Sequence, residues 1–383
     1  MSFVDNPVTA AQGLAGVKVL DLTRLLPGPY ATQMLLHYGA DVIKVEDTAE
    51  GDYGRDINPL VKSGFGAAFT SANRGKRSIA LDLKTASGLQ AFLDLVPRAD
   101  IVVESFRPGV TQRLGIDAGA LRAINPRLVY CSISGYGQNT KRAHLAGHDL
   151  NFQGSAGLLS HGLWREPAMP TALIGDLVGG SYSAVIAIFA ALLELQHTGR
   201  GRFIDLSITH SALMLHPLLA AHHLAGSDTA AARMRHSGAH PAYRIYETSD
   251  GRHVTFAALE AKFWDRFCKL VGCPELVGAS HSQDREELKK CTVRLEAIFR
   301  ARTFNEWSKL SLLWDVCLGP VLTAEEAVDE SIAEQLPLFA RFDAADNEVT
   351  VLSGAPADLS QSAASPTAPP PKHGQNDGEL VWA

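Results

Sequence analysis

The sequence predicts an α/β fold: a Rossmann-like parallel sheet forming a large domain, joined to a smaller α+β domain. Three observations carry this expectation. Short apolar runs alternate with helical stretches from Gly16 to Ile133. The first run enters its helix through Pro27, Gly28 and Pro29, the punctuation of a βαβ unit. Past Ala242 the pattern changes to a two-residue period interrupted by Ser249, Asp250 and Gly251, which reads as a hairpin.

In order, Val17 to Leu22 is an apolar strand, Tyr30 to Tyr38 a helix, and Ala40 to Val45 a second strand. The strand Arg77 to Asp82, the helix Gly88 to Val96, the strand Asp100 to Glu104, the helix Ala118 to Ile124 and the strand Leu128 to Ile133 repeat the alternation. Strands separated by helices need crossover connections, so their neighbours lie parallel and are covered on both faces. Asp176 to His197 reads as one long helix opening on an acidic cap and closing at Gly199; the strand Arg202 to Ser207 and a helical tract His210 to Leu224 follow. Amphipathic helices at Ala261 to Leu270 and Arg285 to Ala301 complete the hairpin's domain. Residues 1–205 are assigned to the large domain, completed by a C-terminal segment from about 330 to 383; residues 206–235 form linker helices and 236–329 the small domain. Gly354 to Gly374, rich in Ala, Ser and Pro, lacks the apolar surface to fold alone and is expected to run back over the large domain.

Composition excludes several classes. Lys plus Arg number 35 against 41 Asp plus Glu, so no global basic field exists for nucleic acid or an anionic membrane, and a polyanionic ligand must be gripped locally. Cys131, Cys268, Cys273, Cys291 and Cys317 are scattered and lack zinc spacing, which fits the reduced thiols of a cytoplasmic protein. The opening residues have no basic stretch followed by an apolar core, so no secretory signal is expected. The apolar run from Ala184 to Leu195 contains Glu194 and is too short to span a bilayer. No G-x-G-x-x-G follows the first strand, which argues against a nicotinamide or flavin cofactor. His210, His216, His222 and His223 have no acidic partner at metal spacing, so no metal is expected.

Five segments lie in order between residues 16 and 185: GVKVLDLTRLLPGPYATQMLLHYGADVIKVE, NRGKRSIALDLK, ESFRPGVTQRLGI, SGYGQ with AGHDLN, and GDLVGGSYSAV. Together they resemble the family of α-methylacyl-CoA racemases and class III CoA-transferases. The resemblance implies an acyl-CoA substrate, no separate cofactor, and a homodimer whose subunits interlock, the first domain of each facing the second domain of the other. It also implies two chemistries to separate. In the transferases the Asp matching Asp176 is a nucleophile that forms an anhydride and then an enzyme-CoA thioester. In the racemases that Asp shuttles a proton opposite a His, and AGHDLN supplies His148 at the matching place. Glu260, in VTFAALEAKFW, matches the racemase Glu that pairs with the His.

Inverting a 2-methylacyl centre needs one group on each face of the α-carbon, an acid and a base that exchange roles with substrate hand. His148 and Asp176 are the candidates, with Glu260 orienting the imidazole through its other ring N–H. Asp176 needs surroundings that raise its proton affinity, whereas a helix start favours the carboxylate. The backbone N–H groups of Leu177, Val178 and Gly179 are candidate donors to the enolate oxygen. For the CoA moiety the resemblance points to Leu81, Asp82, Leu83 and Lys84, to Ser105, Phe106 and Arg107, to Arg113, and to Gly147 and Asp149. Arg107 and Arg113 carry guanidinium groups suited to a phosphate. By their own chemistry Asp149 and Asn151 hold the loop through local hydrogen bonds. The chain departs from the family at Glu46 and Asp47, where members often carry an Arg, leaving Lys44 as the nearest cation.

Overall fold

Residues of alternating direction in each strand serve two different cores. The computed structural model describes residues 13–62, 64–160, 169, 172–226, 238–279, 282, 284–334, 339–344, 347–352, 368–379 and 382. Six strands form one sheet: β1 (Lys18–Leu22), β2 (Asp41–Glu46), β3 (Arg77–Ala80), β4 (Ile101–Glu104), β5 (Val129–Ser134) and β6 (Phe203–Ser207). Every neighbouring pair is parallel, in the order β3-β2-β1-β4-β5-β6. Val19, Ile101, Val103, Val129 and Cys131 point to one apolar cluster, and Leu20, Val102 and Tyr130 to another. A period of two thus buries both faces, as crossover helices require. The strand order reverses between β1 and β4, and at such a switch point the loops leaving the strand ends part to form a crevice.

The first crossover is tied by charge as well as by apolar packing. Asp21, fully buried in β1, accepts hydrogen bonds from Thr23 and Thr32 and pairs with Lys76 at 2.9 Å. The Lys76 ammonium also reaches the Pro29 carbonyl and the Asn73 side chain. Burial raises the Asp21 proton affinity, but the two buried lysines, Lys76 and Lys44, and the hydroxyl donors outweigh it and hold the carboxyl well below the usual carboxylate range. Gly28 is required here because a Cβ on it would lie 2.2 Å from Thr23 Cβ.

The helix expected from Asp176 to His197 starts earlier and has two parts, a π-helical segment Gly175–Tyr182 running into an α-helix Ser183–Thr198. By length and composition Gly175–Thr198 could cross a membrane; in the fold Ala184 and Ile188 are fully buried in the core of the sheet. The tract from His210 to Leu224 is two helices, Ile208–Leu213 and Pro217–Leu224, because Pro217 disfavours helical geometry at His216. The hairpin of antiparallel strands Phe339–Ala344 and Asn347–Leu352 is absent from the sequence expectation.

Of the stretch expected to run back over the large domain, residues 354–367 lie outside the described residues, and residues 368–379 lie along the sheet. Asn376 exchanges hydrogen bonds with the Ser78 backbone at 2.9 and 3.0 Å, Asp377 accepts from the Ala80 N–H, and the Pro371 carbonyl accepts from Arg55. Side chains and turns of residues 368–379 thereby satisfy the open edge of β3.

The chain divides into two compact units, Met1–Leu158 with Pro170–Leu215 and Gln335–Ala383, and Leu159–Met169 with His216–Glu334. In the second unit the expected hairpin is β7 (Arg244–Glu247) and β8 (His253–Phe256), extended antiparallel by β9 (Leu318–Pro320). Its core is aromatic: Phe256 and Phe267 lie 4.4 Å apart between ring centroids, and Phe299 and Trp307 4.9 Å.

Candidate active site

The sheet's last crossover carries the candidate carboxyl, Asp176. Two glycines let the Gly175–Tyr182 segment approach its neighbours: a Cβ on Gly179 would lie 2.7 Å from the Ile208 carbonyl, and one on Gly180 2.9 Å from Pro27 Cβ. Ser181 Oγ fastens the same segment by donating to the Pro27 carbonyl at 2.7 Å. The π-ladder is visible where the Ser183 N–H reaches the Val178 carbonyl five residues back. Such distortions recur at functional sites because they re-aim side chains within an otherwise regular helix.

Asp176 lies in the first turn of this segment and not at the N-cap position that its sequence suggests. Its own N–H donates to Asp149 Oδ1 at 2.9 Å. Leu177, expected as an enolate donor, gives its N–H to the Leu173 carbonyl. The Asp176 side chain is half-buried, and its proton affinity is pushed up to about 6, first by burial and then by the Asp149 charge, with His148 opposing.

His148 precedes the helix Asp149–Ser155 and is exposed, its backbone N–H held by Asn151 Oδ1 at 3.0 Å. Of these adjacent residues His148 is exposed, whereas Asp149 is buried with its carboxylate hydrogen-bonded inside the fold. Since Asp149 touches the Asp176 backbone and His148 acts on its charge, the first unit brings together the two groups predicted to flank the α-carbon. Gly147 is required beside them, because a Cβ there would lie 2.7 Å from Phe152 and 3.0 Å from the Tyr136 hydroxyl. Asp149 itself is not available to a ligand as expected: it is 5% exposed, and its second oxygen accepts from Gln153 Nε2 at 2.6 Å. Glu260 belongs to the second unit, where it is exposed at the start of the helix Ala261–Leu270 and makes no side-chain capping bond to it.

The expected CoA residues occupy loops that leave the carboxyl ends of parallel strands. Leu81, Asp82, Leu83 and Lys84 follow β3, and Ser105, Phe106 and Arg107 follow β4 at the switch point. Three strand spacings separate the two loops, roughly 14 Å. Asp82 accepts from the Lys84 N–H at 3.0 Å and so shapes its own turn, leaving Lys84 exposed. Arg107 and Arg113 are exposed and form no ion pair among the described residues. Gly109, with φ of 86°, turns the chain between them, and Arg113 Nη1 folds back over it, 3.5 Å from where a Cβ would stand.

Lys44 cannot supply a phosphate contact, since it is fully buried, pairs with Asp52 at 2.8 Å and donates to the Thr23 carbonyl. Glu46 is likewise internal, paired with Arg55 and Ser78. A further cation at that end of the sheet is Arg24, which follows β1, is partly exposed and pairs with Asp47. Sequence reasoning missed it by seeking an Arg after the second strand only. It also missed Glu104, whose buried carboxylate holds the 105–107 turn by accepting from the Phe106 N–H at 2.7 Å. Burial first, and then Asp205, pushes Glu104 up to about 7.

The model of the family described as CoA-transferase family III matches residues 14–377. The chain belongs to CoA-transferase family III. This family III chain is 33% identical to a succinate–glutarate CoA-transferase of Agrobacterium fabrum over 96% of its length and 94% of the relative's. It is 32% identical to the α-methylacyl-CoA racemase of Homo sapiens, over 82% of its own length and 79% of the relative's. The solved structure of a CAIB/BAIF family protein from Brucella suis superposes with a TM-score of 0.79 at 30% identity, covering 95% of this chain and 97% of that one. Family III thus brings both racemases and CoA-transferases among its relatives, and the chain is an enzyme of that superfamily.

Proposed function

We propose that this chain is a cofactor-independent racemase or epimerase that inverts the α-carbon of 2-methylacyl-CoA thioesters by proton exchange between His148 and Asp176. The observation that carries this reading is the carboxyl of Asp176, raised to about 6 beside an exposed imidazole. Groups that must alternate as acid and base work best when their proton affinities match, and this brings the carboxyl into the range where imidazoles titrate. One group removes the α-proton, the C–H electron pair moves toward the thioester oxygen to give an enolate, and the other group protonates the opposite face. Glu260 of the partner subunit would accept the second ring N–H of His148. The nucleotide would lie along the loops carrying Leu81, Asp82, Leu83 and Lys84 and those carrying Ser105, Phe106, Arg107 and Arg113.

A homodimer is part of this reading. It is supported by the apolar surface of the helix Pro217–Leu224, where no residue is buried and Leu218 and Leu224 are 65% and 84% exposed. A cytoplasmic setting is supported by five cysteines that all remain free thiols.

The second reading, a CoA-transferase that moves CoA between carboxylic acids with Asp176 as nucleophile, is favoured by the transferase relative matching 96% of the chain. The two separate in one experiment. A single-handed 2-methylacyl-CoA is incubated in deuterated water, and a parallel tube receives a free-acid acceptor instead. Deuterium uptake with loss of chirality is expected; CoA on the acceptor without exchange refutes racemisation. Asp176→Asn abolishes either activity. His148→Ala lowers exchange by about 10²–10⁴-fold, and full-rate exchange in that variant refutes the two-base mechanism.

A further inference from the structure

A helix start ordinarily attracts a ligand's anion or keeps a nearby carboxyl ionised, because its N–H groups and dipole favour negative charge. Here a protein carboxylate occupies that position. Asp149 Oδ1 accepts from the Asp176 N–H at 2.9 Å, and Oδ2 accepts from Gln153 Nε2 at 2.6 Å. Both partners are fixed: Gln153 is 1% exposed, and its amide also reaches toward the Ala172 carbonyl at 3.3 Å. Gly175 keeps the approach open, since a Cβ on it would lie 2.9 Å from Asp149 Oδ1.

We propose that Asp149 is a positioning residue for Asp176: its clamped carboxylate fixes the helix start and sets its charge behind the reactive carboxyl. The charge does two things. It cancels the pull of the helix start that would keep Asp176 ionised, and it repels a second negative charge on the very residue whose N–H it accepts. Burial, Asp149 and the opposing His148 are the influences that place Asp176 at about 6. Among the described residues, the other elements packed on the segment bring no further charge to Asp176, although Tyr30 sets its ring against Tyr182. The helix Pro27–His37 sets Pro27 against it, and the helix Ile208–Leu213 sets Ile208 and Ala212. His210 of that same helix lines a separate cleft with Tyr136 and Arg142, and Asp205 of β6 accepts from the Gln138 N–H. Residues 148 and 149 thus act on Asp176 in opposed senses, His148 lowering its proton affinity and Asp149 raising it.

The inference rests on Asp176 as the acid–base group, and its test separates the two claims. Asp149→Asn keeps an oxygen acceptor for the Asp176 N–H while removing the charge. Two readouts are taken: the pH profile of α-deuterium exchange, and carbon-13 NMR titration of labelled aspartate carboxyls, with Asp176→Asn assigning the signal. The acidic limb and the Asp176 titration are both expected to move down by about one pH unit. A titration that stays in place overturns the positioning role even if the enzyme is active. A titration that moves in a protein with no exchange activity leaves the positioning role standing and removes the racemase reading. Asp149→Ser, a second neutral acceptor, must shift the titration in the same direction. Loss of folding in both variants overturns the proposal in favour of a purely structural Asp149.

Discussion

Replacing Asp176 by Asn is expected to abolish activity and at the same time to strengthen the fold at neutral pH. In the folded chain the carboxyl is raised from its ordinary value of 3.8 to about 6. A carboxyl with raised proton affinity imposes no penalty below pH 4, where folded and unfolded chains are both protonated. Between pH 4 and 6 the unfolded chain ionises first, so the native state loses ground, and above pH 6 the loss is complete. The difference between 3.8 and about 6 corresponds to about 3 kcal/mol. The side chain is only half-buried, and solvent screening brings the expected gain down to about 1–2 kcal/mol. For a unit of this size that is a rise in Tm of roughly 2–8 °C. Differential scanning calorimetry of both proteins from pH 4 to 8 checks it. The curves should coincide at pH 4, separate between 4 and 6, and run parallel above. A variant that melts at or below the wild type at pH 8, or by the same margin at every pH, refutes the argument that Asp176 is held in an ion-hostile site.

Two further outcomes follow from the packing. Asp21→Asn leaves Lys76 buried without its counter-charge and is expected to cost about 3–5 kcal/mol in urea denaturation at pH 7. Burial, the largest influence, has already brought Lys76 down to about 8, so the neutral amine becomes accessible as pH rises, and the deficit should shrink at pH 9; a deficit independent of pH contradicts this. Deleting residues 368–383 uncovers the β3 edge and is expected to give concentration-dependent association by light scattering, whereas a truncated chain that stays at constant size shows that the edge needs no cover.

The parallel sheet was legible because its strands are short, apolar and spaced by helices, so even a misjudged boundary left the period intact. Helix starts were less legible. Asp176 has the chemistry of an N-cap and its neighbours the composition of a regular helix, but Asp149, distant by 27 residues, takes the capping role, and the two glycines permit a π-segment. No local pattern encodes a cap delivered from another element. The loops proposed for the nucleotide come from the family resemblance, whereas Arg24 and Glu104 were missed because their places follow from which strands lie side by side, a property of topology. Lys44 shows the converse: a cation near the right strand end turned out to be a core residue, paired with Asp52.

Pairing of Ser78 with Asn376, 298 positions later, has a consequence for biosynthesis. At translation rates of about 5–20 residues per second, the ribosome needs roughly 15–60 s to travel from the first partner to the second. Throughout that interval the second unit emerges while the flank of the first stays unclosed. The edge of the first sheet is therefore closed only by a segment made after the whole second unit, so order of synthesis and order of packing differ in this chain.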